Sequence, residues 1–134
     1  MSQVQVVLAY CSLARPSPGG CGWCGGPLPK RRKAWCGDRC ANEFQKNHWW
    51  TLARRAAKRR DKYCCVRCGA LPPPRAAARA LRRKGRLEVN HVKPCLGRHS
   101  ALSCSHHLDN LETLCPPCHR VHTRAHAQPL PSAL

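Results

Sequence analysis

Residues 108–122 read LDNLETLCPPCHRVH, and the fold turns on how this stretch is parsed. Cys115 and Cys118 have the Cys-x2-Cys spacing that fills two of the four positions around a zinc ion. His119 follows at once, and successive side chains of a helix point about 100° apart. Whatever ion Cys118 faces, His119 needs a different task.

Upstream, DKYCCVRCG carries Cys65-x2-Cys68-Gly, a knuckle that also lacks a partner pair nearby. Cys64 is read as a buried bystander, with Cys64-x3-Cys68 as the other pairing. Joining Cys65 and Cys68 to Cys115 and Cys118 makes one four-thiolate zinc that staples the insert 69–114 at its base. A second set stands complete in CGWCGGPLPKRRKAWCGDRC, residues 21–40, where Cys21-x2-Cys24 is followed by Cys36-x3-Cys40. Glycines after the cysteines permit the tight turns that aim backbone amides at sulfur. Trp23 and Trp35 sit beside these ligands as shields of the metal, stacking on bases being the lesser alternative.

The totals agree with zinc. A chain of 134 residues with 5% aromatics, 12 prolines and 9 glycines buries too little apolar surface to stand generously without reinforcement. MSQVQVVLAYCSLARP has no basic n-region and only a short apolar run, so a cytoplasmic, reducing setting is expected. There the 12 cysteines read as metal ligands rather than disulfides. No stretch approaches transmembrane length, and no amphipathic helix favours a membrane surface. The formal charge is +18, and two tetrathiolate zincs would lower it by four, to +14. Such a chain attracts polyanions with salt-dependent affinity, and DNA is the expected partner.

Along the chain, residues 1–20 read as a flexible leader ending in RPSPGG, and 21–60 as the four-cysteine finger plus a basic helix. That helix is expected to run unbroken from Asp38 to about Arg60, burying Phe44, Trp49, Leu52, Ala53 and Ala56. Arg54, Arg55, Lys58, Arg59 and Arg60 near its end form either a solvated face or a phosphate-contact surface. RAAARALRRKG, residues 75–85, predicts a short helix stopped by Gly85. LEVNHV alternates as a strand over 87–92. Pro116 and Pro117 suit a knuckle and a first helical turn, predicting a helix over 117–127. Residues 128–134 read as a flexible tail.

Three segments in this order, LEVNHVKP, LDNLETLC and CPPCHRVHT, resemble the HNH endonuclease family. The resemblance covers about Tyr63–Ala127. The finger ending WCGDRCANEF resembles an FCS-type zinc finger, a unit that precedes the HNH segment in some nucleases. The resemblance implies a small α+β protein: a ββα-metal HNH nuclease domain over 61–127, stapled by zinc and preceded by a zinc finger. It implies a phosphodiester hydrolase with His91 as the general base activating water, oriented by a backbone carbonyl or by Asn110. It makes His119 a ligand of a second, catalytic ion, Mg²⁺ or another divalent cation, which gives that residue its task. Asn110, the middle letter of the motif, either pins the loop, which we favour, or helps hold the ion. Members generally leave 5′-phosphate and 3′-hydroxyl ends.

One departure bears on the ion. Many members have Asp where this chain has Asn90, and an amide binds Mg²⁺ less well than a carboxylate. The Asn-His variant resembles that of phage-type HNH homing endonucleases, and it implies weaker Mg²⁺ binding or a preference for Mn²⁺ or Ni²⁺. His119, His122 and His126 share a helix face; His122 is read as a phosphate contact, an aid to the ion or a surface histidine, with Arg120 and Arg124 beside it as further nucleic-acid contacts. Cys95 and Cys104 read as free thiols rather than a minor metal site with His106 or His107, and Cys11 as incidental. The Ala/Arg/Pro/Gly bias points to a GC-rich bacterial or phage genome. A catalytically weak or inactive zinc-stabilised nucleic-acid-binding protein is the alternative function. A redox role for Cys-x-x-Cys lacks the βαβ context it needs.

Overall fold

A computed structural model describes residues 2–71, 86–95 and 97–126. The expected helix over 75–85 and the expected tail at 128–134 lie outside these residues. Among the described residues the chain is a small mixed α/β protein with four α-helices and one two-stranded sheet: α1 (Gln3–Tyr10), α2 (Asp38–His48), α3 (Trp50–Arg60), β1 (Glu88–His91), β2 (Leu111–Leu114) and α4 (Pro116–His126). Two short 3-10 turns, Cys104–His106 and Leu108–Asn110, lead into β2.

The leader holds more structure than its composition suggests. A capping box starts α1: Gln5 N–H donates to Ser2 Oγ (3.2 Å) and Ser2 N–H to Gln5 Oε1 (2.9 Å). Cys11, expected to be incidental, is buried just after this helix. The next residues are tied to the finger, with Arg15 N–H donating to Trp23 O (2.7 Å) and Ser17 Oγ–H to Gly25 O (2.6 Å).

The helix expected over 38–60 is broken at Trp49, whose backbone is extended (φ −92°, ψ 120°). The reason is a change of phase. In one continuous helix the face holding Phe44 and His48 would continue through Thr51 and Arg55, burying an arginine. The break turns α3 so that Ala53 and Ala57 are fully buried and Trp50 packs beside them. Trp49, expected inside, is 48% exposed, Leu52 is only half-buried, and Ala57 rather than Ala56 joins Ala53 in the core.

β1 and β2 pair antiparallel with Val89 opposite Thr113 and His91 opposite Leu111. Side chains alternate across a strand, so the hairpin has two distinct faces. Val89 and Leu111 pack on Ala53 and Ala57 of α3. Leu114 faces the other way, joining Cys65, Leu87 and Cys115 in a second cluster against which Cys118 of α4 packs. A core shared between α3 and the hairpin crosses the boundary drawn at residue 60, so the finger helix and the later segment bury a common apolar layer.

Polar ties fix the same junction. Arg60 donates to the carbonyls of Leu108 and Leu111 (2.5 Å each), and Thr113 N–H donates to Asp61 Oδ2 (3.0 Å). Arg60 also supports that carboxylate (2.9 Å). Burial works to raise the Asp61 pKa, but hydrogen bonds from Arg60 and Thr113 win and hold it below the ordinary value. Replacing Arg60 with alanine is expected to cost about 1–3 kcal/mol, since it removes the guanidinium from the Leu111 carbonyl, leaves Leu108 O only its bond from Leu111 N–H, and loosens Asp61. Thermal melting of zinc-loaded protein reads this as a lowered Tm; an unchanged Tm would show that water replaces the guanidinium without loss.

Candidate functional site

Two four-cysteine sets are assembled as the spacing predicts: Cys21, Cys24, Cys36 and Cys40, and Cys65, Cys68, Cys115 and Cys118. In each, the four sulfurs lie within 4.8 Å of one another. Measured S–S separations are 3.7 Å for Cys24–Cys36, 3.5 Å for Cys36–Cys40 and 3.5 Å for Cys68–Cys115. A zinc with ~2.3 Å bonds to sulfur sets tetrahedral edges of ~3.8 Å, so both sets fit that ion closely. Cys65, not Cys64, belongs to the second set; the Cys64 thiol instead donates to Asp61 O (3.1 Å).

The knuckles repeat one backbone design. Gly25 N–H donates to Cys21 O (2.9 Å) and Gly69 N–H to Cys65 O (2.8 Å). Both glycines have φ +77°, a conformation open to glycine at little strain. At Gly25 a Cβ would also stand 2.3 Å from Arg15 O. The first cysteine of each knuckle is tuned as a thiolate. Burial opposes ionisation, yet backbone hydrogen bonds from neighbouring residues outweigh it and lower Cys21 and Cys65 to about 6.

Two further groups form that spacing alone does not resolve. Cys11, His48, Cys104 and His107 converge, as do His91, Cys95 and His106. The tetrathiolate and mixed Cys/His groups could all hold zinc.

His91 ends β1 on the face turned toward α3 and is 8% exposed. Its ring stacks on Trp50, with centroids 4.7 Å apart and planes at 21°. The group that orients it is neither a carbonyl nor Asn110 but His106, whose Nδ1 lies 2.9 Å from His91 Nε2. Proton positions follow from the next contact. His106 Nε2 faces the carbonyl of His99 (3.1 Å), which only accepts, so that nitrogen carries the hydrogen. His106 Nδ1 is then the acceptor for His91 Nε2–H, and His91 Nδ1 is the bare, basic nitrogen. Burial first, then the neighbouring His106 and His99, lowers the His91 pKa to about 4, so it is neutral at pH 7.

Asn110 spends its amide on backbone. It donates to Lys93 O (3.1 Å) and Ser105 O (2.8 Å) and accepts from Lys93 N–H (2.8 Å). This geometry pins the loop between the strands. Asn90 is also engaged: its Nδ2 donates to Glu112 Oε1 (3.1 Å), which is further held by Arg67 (2.8 Å).

His119 sits in the first turn of α4 and contacts Glu88 through Nδ1 and Oε2. Glu88 precedes Asn90 by two residues and so shares its strand face. The carboxylate near His119 is therefore Glu88, which lies outside the motif positions. Both line a groove of about 530 Å³ whose other walls include Trp50, Arg54, Lys58 and Arg86. Burial, then Arg54 and Arg86, pushes the Lys58 pKa down, and the opposing pull of Glu88 only partly offsets them.

The predicted cations divide among several surfaces. Arg54 and Lys58 face this groove, Arg120 and Arg124 flank Glu88 and His119 on the adjoining one, and Arg55 and Arg59 lie elsewhere with Lys46. His122 is buried rather than at the surface. His91 and His119 occur in no common cluster of the described residues, and strand alternation sets His91 on the α3 face and Glu88 on the other. Trp50 links the two, stacking on His91 while walling the groove.

No helix among the described residues is long and apolar enough to cross a membrane. No protein-family model, curated protein or solved structure matches the chain.

Proposed function

We propose that the protein is a metal-dependent DNA endonuclease of the HNH type, with the hairpin and α4 serving as its ββα-metal unit. The observation that carries this reading is the groove, where three cations surround an acid–imidazole pair. Arg54, Lys58 and Arg86 attract phosphates without reading sequence. Glu88 and His119 offer one carboxylate oxygen and one imidazole nitrogen to a divalent ion, with Asn90 held back by Glu112. Such an ion supplies Lewis-acid stabilisation of the phosphate and of the departing 3′ oxygen. His91 takes the proton of the attacking water at Nδ1. The hydrogen on Nε2 stays bonded to His106, which steadies the imidazolium as it forms.

The test is nicking of supercoiled plasmid by zinc-loaded full-length protein across Mg²⁺ and Mn²⁺ titrations. Nicked circles bearing 5′-phosphate ends are expected, with Mn²⁺ effective at lower concentration. Cleavage should also tolerate acid. Because burial lowers His91 to about 4, the base stays unprotonated as pH falls through the ordinary value near 6.5. With zinc content verified and the divalent ion saturating at each pH, initial rates are expected to hold between about pH 7 and pH 5 and to fall only beyond it; half-loss near 6.5 under those conditions would point to a solvent-exposed base instead.

The second reading, a zinc-stabilised module that binds DNA without cutting it, is favoured by the burial of His91 and its separation from Glu88. Retention of plasmid with no nicking under any ion would select it.

A further inference from the structure

We propose that Cys11, His48, Cys104 and His107 form a third zinc site, which clamps the amino-terminal segment and α2 onto the loop between β1 and β2. Three features carry it. First, the ligand atoms converge from segments distant in sequence. Cys11 Sγ lies 3.4 Å from Nε2 of both His48 and His107, and those two nitrogens are 3.1 Å apart. The sulfur of Cys104 completes the group, all four atoms lying within 4.8 Å of one another. A zinc with bonds of ~2.0 Å to nitrogen and ~2.3 Å to sulfur has tetrahedral edges of ~3.3 Å for N–N and ~3.5 Å for N–S. The observed spacings fall close to these.

Second, the tautomer of His48 is set for metal. Its Nδ1 lies 2.7 Å from Phe44 O, a pure acceptor, so the hydrogen is on Nδ1 and the Nε2 lone pair faces the centre. Third, the site is shielded. Cys11, His48 and His107 are buried, Phe44 stacks on His48 at 4.4 Å, and Trp23 meets its edge at 6.0 Å.

The clamp would add to ties already present: Leu108 N–H to Asn47 Oδ1 (2.9 Å) and Ser103 N–H to His48 O (3.2 Å). It would hold the loop that carries His106 and Asn110, but the site itself does not depend on whether the protein cuts DNA. A hydrogen-bonded cluster without metal is the competing account of the same contacts.

Zinc content and cobalt spectroscopy decide between them. After removal of loosely held metal, full-length Cys11→Ser/Cys104→Ser should retain one zinc per chain fewer than wild type. An unchanged zinc content would overturn the proposal. Where the double variant fails to fold and sheds all its metal, His107→Cys decides. It keeps four ligands, so it should keep the wild-type zinc content. Its cobalt-substituted form should gain sulfur-to-metal charge-transfer intensity relative to cobalt wild type. Spectra that superimpose would place no metal at His107 and reject the site.

Discussion

Replacing Cys65 and Cys115 together with serine is expected to abolish cooperative melting of the hairpin and α4. The apolar layer there is thin: the second cluster consists of Cys65, Leu87, Leu114 and Cys115, so half of it is ligand. Structural zinc contributes on the order of 10–16 kcal/mol of apparent binding energy. That equals or exceeds the roughly 5–15 kcal/mol by which a whole domain is stable. A zinc held by this set would thus be the main tie between α4 and the hairpin. Strong chelators should produce the same collapse in wild type, followed by circular dichroism and zinc release. Cys64→Ser is the control, because Cys64 lies outside the set and makes one thiol contact to Asp61 O; about 1 kcal/mol is expected there. A double variant melting within a few degrees of wild type would mean that the hairpin is held by other forces.

His91→Ala should slow nicking about 10²–10⁴-fold, the usual contribution of a positioned proton acceptor. In barrier terms that is about 2.7–5.4 kcal/mol. Plasmid retention should be unchanged, since Arg54, Lys58 and Arg86 lie in the groove and not against the buried ring. His106→Ala tests positioning: a smaller fall is expected, together with a shifted acid limb, because His91 loses the partner of its Nε2 hydrogen. Cutting by His91→Ala at the wild-type rate would remove this imidazole from the mechanism.

What sequence made legible was whatever repeats at short range. Cys-x2-Cys and Cys-x3-Cys pairs announced both tetrathiolate sets, and alternation in LEVNHV marked β1. Elsewhere the decisive information is tertiary. Nothing local to Trp49 demands an extended residue; only the need to bury Ala53 and Ala57 in place of Arg55 breaks the helix. Cys11 and His48 are single ligands with no spacing signature, although Cys104-x2-His107 was a half-site visible in the loop. Glu88 stands two residues from the motif position Asn90, and only the strand pleat brings it to His119. His106 as the partner of His91 required the loop to fold back, a closure set by Asn110 and Asn47.

The central claim is that His119 serves a second cation, distinct from the zinc held by the cysteine beside it. Crystals of zinc-loaded protein soaked in Mn²⁺ test this most directly, with anomalous scattering collected on either side of the manganese edge. The account predicts a manganese peak between Glu88 and His119, separate from the zinc peaks at the cysteine sets. A peak elsewhere, with Glu88 and His119 still in contact only with each other, would contradict it.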